Sequence, residues 1–177
     1  MSGSQAASGV ESAFSAEFAE LYREHAAHVQ RFCLSQVGDA GVAEDLTHET
    51  FLRAFGVEAG RRPSGDLRPW LIRIARNLCV DQHRRGGRMR RLLTRLRSTP
   101  AAAPSVELVA EERELLRRVQ IELQQLRRRE RELIGLRVAA DLSYRDIGAI
   151  LGISEDAAKV ATHRALTRLR AHLEETP

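Results

Sequence analysis

The chain is expected to be all-α, with two small helical domains joined by a flexible linker, and three observations predict this. Aromatic residues fill only 5% of the 177 positions against 29% charged. A core must therefore be assembled from Leu, Ile, Val and Ala, which favours helical bundles over β-sandwiches rich in β-branched and aromatic side chains. Apolar residues recur at three- and four-residue steps through most of the chain, and no stretch alternates convincingly with the period of a strand. Ser98, Thr99, Pro100, Pro104 and Ser105 punctuate a linker-like segment between two such patterned regions.

Residues 1–13, rich in Ser, Gly and Ala, are read as a disordered leader; they lack the basic start and apolar core of a signal peptide. Over 14–37, Phe14, Phe18, Leu21, Tyr22, His25, Val29, Phe32 and Cys33 mark one face of a long helix. Gly38, Asp39, Ala40 and Gly41 break it. A second helix is expected over 42–55, with Ala43, Leu46, Thr50, Phe51 and Ala54 on one side and Asp45, Glu49, Leu52 and Arg53 on the other. Residues 56–68 read as a loop. Pro69, whose missing N–H costs nothing in a first turn, opens a third helix that runs to about Arg85. Gly86 and Gly87 are expected to stop or kink it, and the basic residues 88–97 can extend it. The first domain is thus 14–97, the linker 98–105 and the second domain 106–177. In the latter, Leu108, Leu115, Leu116, Val119, Leu123 and Leu126 mark one helix, 129–138 a second, and two more follow.

The net charge of +4 is placed unevenly. Residues 1–60 carry three Arg and nine acids, residues 61–97 carry twelve Arg and two Asp, and the remainder balances. A strongly basic block between an acidic and a neutral segment points to a polyanion there and to a different partner for the acidic end. All the cations but Lys159 are Arg, which suits forked contacts to phosphates and base edges, although codon preference accounts for most of that bias.

Two motifs carry the chemistry. Leu142 to Arg170 reads as a helix-turn-helix: Ser143 with Asp146 resembles a capping box, Ile147, Ile150 and Leu151 form a buried stripe, and Gly152 permits a left-handed turn. Ile153 plugs the corner, and Ser154 caps a second helix whose polar side is read as Lys159, Thr162, His163, Arg164 and Arg168. Such a helix lies in the major groove with its first turns toward the bases. The helix from Pro69 is the other motif. Leu71, Ile74, Ala75, Leu78 and Cys79 cover one arc, while Arg73, Arg76, Asn77, His83 and Arg84 cover the opposite one. Arg can hold phosphates there, and Asn77 can both donate to and accept from a base. Trp70 can stack on a base but is read as core packing.

Other clusters are set aside. Cys33 and Cys79 lie in apolar patterns and are read as buried free thiols. His25, His28 and Cys33 supply at most two co-facial ligands, and Glu44, Asp45 and Glu49 lack a second cluster to complete a metal or acid–base site. No phosphate-binding glycine loop or nucleophile elbow is present. No metal, cofactor or catalytic residue is expected, and the chain is not expected to be an enzyme. No apolar run is long enough for a membrane span, so a cytoplasmic location without membrane contact is expected.

These motifs also carry a resemblance. Ala43-Glu44-Asp45-Leu46-Thr47-His48-Glu49-Thr50-Phe51-Leu52-Arg53-Ala54 resembles conserved region 2.2 of bacterial sigma factors, particularly the small extracytoplasmic-function (ECF) group of the sigma-70 family. Pro69 through Asp81 resembles regions 2.3 to 2.4, and Leu142 through Arg170, with His163-Arg164-Ala165, resembles region 4.2. The likeness covers about 14–90 and 106–173. His48 stands where Gln is usual, and Ala157-Ala158-Lys159-Val160-Ala161 replaces the common Thr-Val-Lys-Ser-Arg.

The resemblance implies a dissociable subunit of RNA polymerase that directs promoter recognition and transcription initiation. Asp45, Leu46, Glu49, Leu52 and Arg53 would dock on the clamp helices of the largest polymerase subunit, with the flap as a further contact. Arg61, Arg62, Ser64, Arg68, Arg73, Arg76, Asn77 and Arg84 would hold the melted −10 element, Asn77 nearest a captured base. Ser143, Arg145, Ser154, Lys159, Thr162, His163 and Arg164 would read the −35 element as duplex. Relatives of this kind are often held by an anti-sigma factor. The competing reading is a helix-turn-helix regulator that acts without polymerase, which leaves the acidic face and the basic block without a task.

Overall fold

A computed structural model describes the backbone of residues 3–57, 62–92 and 110–175 and the side chains of 17–57, 62–85 and 112–175. Among the described residues the chain forms seven α-helices and one π-helical turn, with no strand. These are α1 (Gly3–Val37), α2 (Ala40–Phe55), α3 (Arg68–Leu92), α4 (Ala110–Gln125), α5 (Arg128–Ile134), the π turn (Gly135–Ala139), α6 (Tyr144–Leu151) and α7 (Glu155–Glu175). No described helix is long and apolar enough to cross a membrane.

The helix from Phe14 starts earlier than expected: its backbone is helical from Gly3, where the sequence reading placed a disordered leader. Extending a helix already nucleated costs far less than starting one, so a run rich in Ala and Ser can be carried along. The break after α1 falls at Gly38, whose φ of +76° favours glycine. Asp39 then caps α2 by accepting the Val42 N–H at 2.9 Å. In α3 the Gly86–Gly87 pair does not stop the helix, which runs on to Leu92. Glycine weakens a helix without removing its hydrogen bonds, and Arg-rich flanks are good helix formers. The expected 129–138 helix is in fact two elements, α5 and the wider π turn. The linker at 98–105 and Arg61 lie outside the described residues.

The first three helices pack through Val29, Phe32, Cys33, Phe51, Leu71, Ile72 and Ala75, all fully or almost fully buried. Phe18, Tyr22, Phe51 and Phe55 form an aromatic group at one end, with Phe18 and Phe55 edge-on at 4.5 Å. Trp70 packs on this core, as read from the sequence. A second cluster joins α4, α5 and α7 through Leu123, Leu126, Ile134, Ala165 and Leu169. The two helical units are not independent, because Leu133, Leu136, Ala140, Leu142 and Ile147 belong to the first core.

That seam is close-packed. A Cβ on Gly135 would lie 2.6 Å from Ser35 Oγ and would also strike Gln36, so a larger residue would have to displace both side chains where the π turn crosses α1. The last carbonyls of α1 have no intrahelical donors. Leu34 O accepts the Gly38 N–H at 2.9 Å and a second donor, Gln120 Nε2, at 2.8 Å, while Gln124 Nε2 donates to Ser35 O at 3.1 Å, so α4 reaches the end of α1 through two side-chain amides. Cys33 and Cys79 are both buried and free. A hydrogen bond between them, with burial, pushes the Cys79 thiol far up, so it stays protonated and inert.

Candidate nucleic-acid interface

The helix-turn-helix is built as its sequence signals require. Ser143 Oγ accepts the Asp146 N–H at 3.1 Å, and Ser154 Oγ accepts the Ala157 N–H at 3.2 Å. Gly152 takes the left-handed conformation at φ +68° and ψ 37° and returns its N–H to Gly148 O. Arg145, Lys159, His163 and Arg164 are exposed, and Ser143 and Ser154 stand at the helix starts with their hydroxyls engaged as caps. Arg168 is turned to Glu130 as an ion pair.

Thr162 corrects the sequence reading. It is 0% exposed, on a stripe with Ala158, Ala165 and Leu169 that packs α7 onto the second unit. Its polarity and its place beside His163 are what suggest a group reading duplex DNA. Its small, branched side chain is instead what the close packing admits, and its Oγ1 has no hydrogen-bond partner. Thr162→Val is therefore expected to raise stability by about 1 kcal/mol, since a buried unpaired hydroxyl is replaced by a methyl of the same shape. Duplex binding should be unchanged. Thermal melting and an electrophoretic shift check both; weaker duplex binding by a stably folded T162V would restore the residue to the reading surface.

On α3 the arginines divide between two stripes. Arg73, Asn77 and Arg84 are exposed along one side, with Arg84 within 3.9 Å of Asp81. Arg68, Ile72, Arg76 and His83 lie along another, which faces the second unit. There Arg76 Nε donates to Glu132 Oε1 at 2.6 Å, while Arg129 holds the other carboxylate oxygen at 3.1 Å. Arg68 reaches both Asp66 at 3.6 Å and Asp141 at 3.5 Å. Burial, then Arg131, depresses the His83 imidazole, and burial followed by Arg31 and Arg68 depresses His28. Arg131 is itself buried, with its guanidinium donating to Gln124 O at 3.2 Å.

Ahead of α3, Arg62 is held by three contacts. Arg62 is 10% exposed at its side chain; it pairs with Glu17 at 2.6 Å, donates to Val57 O at 3.2 Å and lies over the Phe55 ring. It anchors the loop that presents Ser64, which is exposed. On α2, Asp45, Leu52 and Arg53 are exposed, and Glu49 is bound to Arg53 at 2.8 Å. Leu52 is 64% exposed, an apolar residue between charges, whereas Leu46 is buried in the core. Leu46 thus supports α2 from beneath and cannot form its outer surface. Sequence reasoning missed Glu132 and Asp141, which lie in mixed-charge runs that read as solvated.

Fold and surface together define a DNA-binding protein: a helix-turn-helix unit and a separate basic helix in one all-helical chain. Residues 21–89 match the family model for Sigma-70 region 2, and residues 116–169 that for Sigma-70, region 4. ECF RNA polymerase sigma factor SigL of Mycobacterium tuberculosis (strain H37Rv) is 35% identical over 174 residues, 95% of each chain. ECF RNA polymerase sigma factor SigE of Mycolicibacterium smegmatis is 36% identical over 156 residues, 87% of this chain but 60% of that relative's own length. Sigma factor RpoE from Bartonella quintana, solved with the anti-sigma factor NepR, superposes with a TM-score of 0.70 at 25% identity, covering 91% of this chain and 99% of that one. The chain belongs to the ECF group of the sigma-70 family, the alternative sigma factors of bacterial transcription initiation.

Proposed function

We propose that this sigma factor joins core RNA polymerase through the outer face of α2, grips the melted −10 strand with α3 and the loop before it, and reads −35 duplex with α7. The observation that supports this best is one of separation. The exposed sets Asp45–Glu49–Leu52–Arg53, Arg73–Asn77–Arg84 and Arg145–Lys159–His163–Arg164 sit on different helices, so three ligands need not compete for one surface. The first is acidic and apolar, suited to a protein; the others are basic, suited to nucleic acid.

Melting then needs no catalysis by this chain, which acts as a binding subunit and not as an enzyme. Capture of an unstacked base and its strand offsets the few kcal/mol lost on unpairing. Asn77 is the group for that base: exposed, neutral, with both donor and acceptor. The proposal places the chain in the cytoplasm with promoter DNA and core polymerase. It includes an anti-sigma partner, as NepR is for RpoE of Bartonella quintana.

The test is reconstitution of purified chain with core polymerase on a library of randomised promoters. Promoter-selective initiation is expected. Operator-like duplex binding with no gain in initiation would favour a polymerase-independent regulator instead. Asn77→Ala is expected to relax or shift the selected −10 sequences, at about 1–3 kcal/mol per lost base contact, with polymerase affinity unchanged. Identical selected sequences for both proteins would remove Asn77 from that role.

A further inference from the structure

The outward face of α7 is centred on an apolar residue. Val160 is 50% exposed and stands in the second turn after the Ser154 cap. It is two residues, or about 200° around the helix, from both Ala158 and Thr162, so it lies opposite the stripe that packs α7 onto its own unit. The line that it centres, Asp156–Val160–His163–Thr167, is exposed throughout and carries no Arg or Lys. Lys159 and Arg164, also exposed, flank that line on its two sides, where they can reach the phosphates that wall a groove. The Asp156 carboxylate is repelled by phosphate, so the line is set toward base edges rather than backbone.

We propose that Val160 is a specificity-determining residue for the −35 duplex, packing its two methyl groups against the C5 methyl of one thymine in the major groove. The inference rests on the reading of α7 as the −35 reader and adds to it a base that the reader requires. The floor of the major groove offers amino donors, ring and carbonyl acceptors, and a single apolar group, the thymine methyl. Valine can neither donate nor accept. Set against an amino or carbonyl group, it strips water from that group and leaves it unpaired. Set against the methyl, it removes apolar surface of both partners from water. The contact is also well prepared. A β-branched side chain on a helix keeps one χ1 rotamer, so Val160 gives up far less freedom on binding than Lys159 or Arg164 does. Ala157, exposed one turn nearer the helix start, widens the same apolar spot.

The test uses holoenzyme reconstituted from the full chain and core polymerase, with a promoter duplex that it selects from the randomised library. Each thymine of the −35 element, on either strand, is replaced in turn by deoxyuridine, which removes the C5 methyl and leaves every hydrogen-bonding group in place. Affinity is read by competition against the unmodified duplex. At one thymine, deoxyuridine is expected to weaken wild type about three- to fivefold, the worth of one buried methyl. Val160→Ala is expected to bind both duplexes alike, with its melting temperature unchanged because the side chain lies outside the core. At the same position, 5-methylcytosine should bind wild type more tightly than cytosine by about the same factor, and Val160→Ala no more tightly. Indifference of wild type to deoxyuridine at every −35 thymine overturns the inference, as does a selected −35 element without thymine. An undiminished deoxyuridine effect in Val160→Ala assigns the methyl to another residue and overturns it too. The two readings fail differently. If the holoenzyme shows no −35 preference at all, the assignment of α7 falls and takes Val160 with it, whereas a −35 preference without methyl dependence removes Val160 alone.

Discussion

Gly148→Val is expected to abolish binding of −35 duplex and to lower stability by about 3 kcal/mol or more, at or above the usual range for overpacking. A Cβ at this position would lie 2.7 Å from Ile153 O and 3.4 Å from Glu155 N and Ser154 C. All three neighbours are backbone, so no rotamer change relieves the clash. Gly148 O also receives the N–H groups of Gly152 and Ile153, which makes it the hinge pin of the turn. Displacing it tilts α7 away from α6 and moves Arg145 relative to Lys159, His163 and Arg164. Gly152→Ala is the instructive contrast. Gly152 needs a positive φ but has nothing within 4 Å of a new Cβ, so alanine there should cost only about 1–2 kcal/mol of backbone strain. Thermal unfolding and duplex binding of the two variants check the ranking. A Gly148→Val protein that melts and binds as wild type does would show that the close crossing is absent in solution.

The two glycines also show where sequence reading stops. Gly152 was legible because a helix end followed by glycine, Ile153 and a capping Ser is a local pattern with a local cause. Gly148 was not: inside a helix, its reason is a backbone eight or fewer residues away in sequence but brought back by the turn. The same distinction holds across the chain. The α2 faces, the caps at Ser143 and Ser154 and the buried thiols follow from periodicity and short-range chemistry, and the structure has them. Arg76 and Arg73 are indistinguishable as letters on a basic helix, yet one meets Glu132 and the other solvent. Only the packing of the second unit decides that, through a glycine at 135 that gave no signal. Thr162 failed for a related reason. A helical wheel sorts residues by polarity, while the buried stripe of α7 is chosen by size, and Thr162 sits level with Ala158 and Ala165.

Reversing two charges on α2, Asp45→Lys with Glu49→Lys, is expected to weaken core polymerase binding by about a hundredfold, or roughly 3 kcal/mol, because like charges would then face each other across the interface. The fold should hardly respond. Asp45 is exposed, and Glu49 contributes one surface pair with Arg53 at 2.8 Å; exchanging that pair for an i,i+4 repulsion costs about 0.5 kcal/mol. Equilibrium binding to core polymerase, with melting as the control, separates the two effects, and the wild-type affinity should fall with added salt as exposed charges are screened. Undiminished affinity in the double variant would take the docking surface off α2. Leu46 is unsuited to the same experiment. Its side chain is buried, so Leu46→Ala would cost about 2–5 kcal/mol of stability and lose polymerase through unfolding. Leu52, exposed beside the acidic pair, isolates the apolar part: Leu52→Asp should weaken docking while leaving the melting temperature within a degree or two, since nothing in the core depends on it.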